Sequence, residues 1–425
     1  MFQGVNVFGT SNFGSSDKAF VAGEDNAAGG NGATILGTRN RGAYGNIIGG
    51  GDNFSNGLHS MIFGRYNANL ADYNVLVNMN NTVEAGSANN NNFLSGQYNK
   101  VTKGSCNFIG GYNNLLTNGS GDILGGRDNT IANSTYSVIG GNAHKNVDGD
   151  QCIIAGNNHT ISGRSHYNAI FGQSNTVASS SKWNEVSGST NSLTYSVYNT
   201  VSGFTNTLTY AENNIVGGTE NKLTGTPSAK LINNLICGAK IKVTAGSGNI
   251  LGGQENEIKS GNGNAIGGYN NTLTGTYVGV FGNKHLVYGD QNFAVGTENS
   301  IGYDANKIAS KKSSYNVVGG RGNKIGQTRQ VWDSAVFGQN NVINHTGVLA
   351  VGANHTSSRD YQILLGNGAK EDSSSALILA NSGTNVLTFG TTGTRASVGT
   401  DIVTVDYLKN NSGASTWQAL HGEEG

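Results

Sequence analysis

One pattern recurs along most of this chain and limits what it can fold into: N-x-h-x-G-x-x-N-x-h, where h is aliphatic. It reads clearly in Asn168-Ala169-Ile170-Phe171-Gly172-Gln173-Ser174-Asn175-Thr176-Val177, and again over 249–258 and 264–273. Anchored on its Gly, the pattern returns 24 times between Gly9 and Gly366, at intervals of mostly 14 to 16 residues. Two residues before the anchor, 22 of the 24 copies have Ile, Leu or Val, so this slot is a buried position and not a preference. Three residues after it, 18 copies have Asn and four have His. Strand side chains alternate with period two, which puts the Asn at −4 and the aliphatic at −2 on one face of a short strand. The Gly and the two residues after it turn the chain, and a second short strand delivers the aliphatic at +5. One such coil cannot bury its own apolar residues, but stacked coils form a continuous aliphatic column. The expected fold is therefore all-β, a parallel β-solenoid (β-roll) of about 24 coils with ~15-residue repeats. At about 4.8 Å per coil it would be a rod on the order of 115 Å long.

Composition supports this reading. Of 425 residues, 66 are Gly, 61 are Asn and one is Pro. Collagen needs abundant Pro, and helices disfavour Gly and Asn, so both are excluded. Length alone suggests roughly three domains, and the repeat replaces that count with copies of one unit. Strands that donate N–H groups to the next coil exclude Pro. The sole Pro227 falls in a stretched interval between Gly218 and Gly238, and a second insertion separates Gly296 from Gly320. The formal net charge is zero, with 26 basic and 26 acidic residues, which argues against nucleic-acid partners. No apolar run reaches the length of a membrane span, so no membrane insertion is expected. Cys106, Cys152 and Cys237 form no pairing pattern and are expected as buried or half-buried thiols. The start, Met1-Phe2-Gln3-Gly4-Val5-Asn6, has no secretory character, so synthesis and folding in a cytoplasm are expected. Coils this thin offer little core, and an intertwined homotrimer would bury a second face.

Candidate functional residues follow from the slots. Asn at a repeated turn position suggests a structural ladder of amides, with Asn175, Asn191, Asn206, Asn221, Asn256 and Asn271 as its members. Tyr66, Tyr98, Tyr112 and Tyr269 lie just after an anchor and are candidate surface contacts for a glycan or protein. His144, His159, His285 and His355 take the +3 Asn slot and read as turn substitutions, because no His pair has metal-ligand spacing within a coil. Asp25, Asp52, Asp128, Glu220, Glu255 and Glu298 all sit at +2 and are mostly several coils apart, whereas glycoside cleavage needs two carboxylates about 5–10 Å apart. The Asp slot of calcium-binding nonapeptide repeats is not regularly filled, and no Lys-Ser/Thr follows the Gly pairs as a phosphate loop requires. Neither an enzyme nor a metal or cofactor is expected. An ice-binding solenoid would need a regular Thr-x-Thr face, and that face is read as absent.

Ile47-Ile48-Gly49-Gly50, Val138-Ile139-Gly140-Gly141 and Val317-Val318-Gly319-Gly320 carry an aliphatic-x-Gly strand that resembles the left-handed parallel β-roll of trimeric phage fibres and YadA-like adhesin heads. The resemblance covers about residues 1–370. It implies a trimeric virion fibre, of tail or head, used in host attachment and partnered by itself, other virion proteins and a host surface glycan or protein. A bacterial adhesin head at the cell surface and a polysaccharide-degrading tailspike are the alternatives. Residues 371–396 then read as terminal strands and transition. Residues 397–425, with Ser397-Val398-Gly399-Thr400-Asp401-Ile402 at their start, look like a neck or connector with a tail.

Overall fold

The computed structural model describes residues 4–14, 17–86, 89–304, 306, 309, 311–368, 376–381 and 385–390. The proposed neck at 397–425 lies outside the described residues. The chain divides into two compact units, Met1–Glu220 and Asn221–Gly425. Each is a parallel β-solenoid built of coils of about 15 residues, and the two together carry about 24 turns.

Each coil has the same plan. A first strand, usually of five residues, holds the −2 aliphatic and the anchor Gly, as in Ala169–Gln173. A second strand of two or three residues holds the +5 aliphatic, as in Thr176–Ala178. First strands pair in parallel with first strands of neighbouring coils, and second strands with second strands, so each unit has a sheet A and a sheet B. The register steps by one whole coil: Ile48 lies opposite Ile62 in sheet A, and Val177 opposite Leu193 in sheet B. Inward side chains thus meet only their own kind. Ile62, Leu94, Ile139 and Ile170 of sheet A, and Val101, Leu116, Val177 and Leu208 of sheet B, are at most 1% exposed. Full burial of such a side chain is worth about 1.5–3 kcal/mol, and most coils from Val83 onward supply two, whereas Ser55, Asn69 and Asn146 take the inward place of sheet B in their coils.

The turn after sheet A shows why the anchor is Gly. Gly203 has a φ of 107°, and a Cβ there would lie 2.0 Å from the carbonyl oxygen of Gly218 in the next coil. Two residues further on the backbone is left-handed without glycine: Ser174, Thr190 and Thr205 have φ of 53°, 58° and 57°. This is costly for a β-branched residue. Coil-to-coil bonds offset it, with the Thr190 N–H donating to the Gln173 carbonyl and the Thr205 N–H to the Ser189 carbonyl, both at 2.9 Å.

In the second unit, Ile363–Asn367 pairs in parallel with Ala376–Asn381. That strand then pairs antiparallel with Asn385–Gly390, the reverse of the solenoid's parallel pairing.

The thiols depart in part from expectation. Cys152 is buried, but Cys106 and Cys237 are exposed. Cys106 occupies a left-handed turn position and Cys237 an outward position of sheet A, and neither points at the column.

Candidate ice-binding face and the ladders behind it

Two amide ladders hold the coils in register. In the ladder at +3, Asn191 donates from Nδ2 to Asn175 Oδ1 at 3.1 Å, and its backbone N–H donates to the same oxygen at 2.9 Å. Its Nδ2 also donates to the carbonyls of Ser187 and Gly203. Asn206 repeats these bonds on Asn191. In the second unit Asn271 donates to Asn256 Oδ1 at 3.0 Å, and Asn221 Oδ1 accepts from the Ile241 N–H. A second ladder runs through the −4 slot, where Asn184 donates to Asn168 and Asn199 to Asn184, each at 3.0 Å. All of these residues are buried, and every bond lies between neighbouring coils or closes a turn.

The histidines explain their own slot. His144 and His159 are ladder members whose rings stack 5.0 Å apart and nearly parallel. The Nδ1 of His144 accepts from the His159 N–H, and the Nδ1 of His159 accepts from the Asn175 N–H. Each Nε2 meets a carbonyl, of Gly140 and Ala155 respectively. A neutral imidazole protonated on Nε2 thus reproduces the acceptor and donor of an Asn amide. Burial holds both rings below the usual histidine range.

Asp122 is the acidic member of the −4 ladder. Its N–H donates to Asn107 Oδ1, and its Oδ1 accepts from the Ser137 N–H at 2.8 Å. Its Oδ2 is buried without a hydrogen-bond partner. Burial pushes this carboxyl up to about 7. Cys152, further along the same ladder, is a thiol that burial pushes up to about 11. Among the described residues no group of three or more His, Cys, Asp and Glu is arranged to hold a metal ion.

The candidate tyrosines lie on the turn after sheet A. Tyr98 and Tyr112 meet edge to face, 5.5 Å apart. Tyr66 sits under Arg65, and Tyr112 under Arg127, as cation–π pairs. The Glu255 carboxylate beside Tyr269 raises its phenol above the usual range. The structure thus brings two of the four together and leaves Tyr66 and Tyr269 apart from them, each engaged with a charged neighbour of its own. Asp52 and Asp128 at +2 are likewise occupied, with Arg39 and Arg127.

The outer face of sheet B in the first unit was missed by residue-level reading. Thr160–Ile161, Thr176–Ala178, Ser192–Thr194 and Thr207–Thr209 are successive strands of that sheet. Their outward residues form two files. Thr160, Thr176, Ser192 and Thr207 are register partners in one, and Ser162, Ala178, Thr194 and Thr209 make the other. Seven of these eight positions bear a hydroxyl, all half-buried by their neighbours in the face. File members are about 4.8 Å apart, and the two files are separated by two strand residues, about 6.7 Å. The expectation that a Thr-x-Thr face is absent fails for these four coils. The signal was the residues on either side of the +5 aliphatic, and averaging over 24 coils hides it.

A β-solenoid with an internal amide ladder and one flat, hydroxylated outer face defines the class of this protein. The sequence profile of the grass antifreeze beta roll family matches residues 109–209 and 236–333, one segment in each unit. No curated protein matches the chain. The antifreeze β-roll is a non-enzymatic family, and this chain is not an enzyme. The match corrects the resemblance to phage fibres and YadA-like heads, and with it the role of a virion fibre in host attachment. The physical reason is plain. Aliphatic-x-Gly at a period of 15 is what any stacked coil of this size requires, so it reports the fold and not the role.

Proposed function

We propose that this protein binds ice through the outer face of sheet B between Thr160 and Thr209. The observation that carries this reading is the two-file array of hydroxyls on four stacked strands, inside a segment that matches the antifreeze β-roll. An ice-binding surface must fix many weak contacts in a two-dimensional order, because each hydroxyl or methyl alone exchanges with bulk water at little net gain. A β-solenoid supplies that order. The coil spacing sets one axis and the strand rise the other, and both lie close to repeat distances in hexagonal ice. The Asn ladder and the aliphatic column hold every coil, so the face loses little conformational freedom on binding. Threonine suits the surface, since its β-branched side chain is stiff on a strand and presents a methyl and a hydroxyl together.

Ice recrystallisation inhibition by the purified chain tests the reading. The intact protein keeps ice grains small at micromolar concentration, and the double substitution Thr176→Lys with Thr194→Lys removes the effect while leaving the circular dichroism unchanged. Equal inhibition by both proteins would sink the assignment to this face.

A further inference from the structure

The outer face of sheet A in the first unit is built differently. Its outward positions at −3 form a ridge of large apolar side chains, in register from coil to coil between Ile47 and Ile153. Ile47, Met61, Phe108, Ile123, Val138 and Ile153 are each 41–51% exposed. Half-exposed side chains of this size leave roughly 80–100 Å² open apiece. These six therefore leave roughly 500–600 Å² uncovered, at the upper end of the largest apolar patch of a typical monomer and a large part of the ~800 Å² that each partner contributes to a standard interface.

Beside the ridge, at −1 on the same strands, runs a groove through Gly110, Gly125 and Gly140. These glycines do not have positive φ. A Cβ on Gly125 or Gly140 would meet nothing within 4 Å. Neither backbone strain nor packing inside the chain calls for glycine there, and glycine weakens a strand. Such a glycine marks a place where something else approaches the backbone closely. Neither file carries a charged side chain between Ile47 and Ala155, and Glu185 is the first to break the face.

We infer that this face packs against the same face of a second copy of this chain, the ridge of one lying along the glycine groove of the other. The occupant must present neutral apolar knobs at one-coil spacing over a long straight line. This chain has that spacing and that neutrality itself between Ile47 and Ala155, so identical copies stay in step over that stretch. In the second unit Ile250 lies beside Gly252 in the same way, where a Cβ would meet only the Cys237 carbonyl at 3.7 Å. A two-fold pair and the homotrimer expected from the sequence use the same contact. The inference does not rest on ice binding, because sheet B takes no part in it.

Sedimentation velocity on the full chain tests it. The chain has a mass of 44.0 kDa, and the expected species is two or three times that mass at micromolar concentration. The variant Gly125→Leu with Gly140→Leu fills the groove, and it sediments as a single chain with an unchanged melting curve. Should that variant fail to fold, Ile123→Asp with Val138→Asp places charges at half-exposed positions and gives the same fall in mass. A wild-type chain that stays at 44.0 kDa across the concentration range overturns the inference, and so does a folded variant that keeps the wild-type mass.

Discussion

Sheet B has the same inner side in both units and two different outer sides. In the first unit, the strands from Thr160 to Thr209 show hydroxyls outward. In the second, Thr272 and Thr274 lie between strands that show Lys242, Glu257, Leu286 and Tyr288, with Lys242 and Glu257 joined as an ion pair at 2.8 Å. The inward residues hardly change: Val177, Leu193 and Leu208 in one unit, Val243, Ile258 and Leu273 in the other, all fully buried. Inward positions and the two Asn slots thus specify a coil. Outward positions of the short strand are free of that duty, and a function can be written on them without disturbing the fold. One threonine strand between charged, branched and aromatic ones offers no continuous array, and this supports placing the proposed ice-binding face on the first unit.

The largest expected effect comes from damaging one face and not the other. Thr176→Lys with Thr194→Lys lowers ice recrystallisation inhibition at least about tenfold, the equivalent of 1.4 kcal/mol or more. Thr272→Lys, at an outward position of sheet B in the second unit, leaves it unchanged. Grain-size measurements on the two variants at equal concentration check the contrast.

The next effect concerns a buried carboxyl of the first unit, Asp122. The folded chain holds a proton on Asp122 up to about pH 7, whereas an unfolded chain releases it near 3.8. Stability therefore falls as pH rises from about 4 to about 7 and is level above that. The cost at neutral pH is on the order of 4 kcal/mol. Asp122→Asn restores the ladder residue, so it raises stability above pH 7 and removes the slope. Chemical denaturation at pH 4 and pH 8 reads both.

A smaller change should be alike in the two units, because the ladder is common to both. Asn191→Ala strips a buried ladder member of its bonds to Asn175 Oδ1 and to the Ser187 and Gly203 carbonyls, of which the Gly203 carbonyl keeps the Ser189 N–H. The expected cost is about 3 kcal/mol. Asn271→Ala in the second unit, which frees the carbonyls of Gly267 and Gly282, costs about the same. A several-fold disparity between the two would break the claim that one scaffold serves both units.

The smallest effect is the acid response of the two ladder histidines. Their burial lowers the folded pKa below 6.5, so their neutral form supports the fold at higher pH and is lost as pH falls below that value. Protonated Nδ1 would face the N–H it now accepts from. In an Asp122→Asn background, which lacks the opposing slope, His159→Asn blunts the decline in melting temperature between pH 7 and pH 5, whereas the same change at exposed His59 does not.

Much of the scaffold was legible because it is periodic. The −2 aliphatic, the anchor Gly and the +3 Asn recur in nearly every coil, and each has one physical duty. Features that recur only locally were not. The hydroxyl files occupy four coils, and in Ser192–Thr194 and Thr207–Thr209 they sit beside core leucines that read simply as strand. The left-handed conformation at Thr190 and Thr205 was equally hidden, since β-branched residues disfavour it and only the neighbouring coil stabilises it. His159 looked like a loose replacement for Asn until its two ring nitrogens were seen to repeat the amide's two roles. Asp122 was not singled out in the sequence, and only its place in the buried ladder shows its chemistry.

The central claim is that ordered hydroxyls between Thr160 and Thr209 hold ice. Freezing a hemisphere of ice slowly into a dilute solution of fluorescently labelled protein tests it most directly. Wild-type chain is drawn into the ice at a concentration near that of the liquid, and the variant with Thr176→Lys and Thr194→Lys is pushed ahead of the front. Exclusion of the wild-type chain, or equal uptake of the two proteins, would contradict the account.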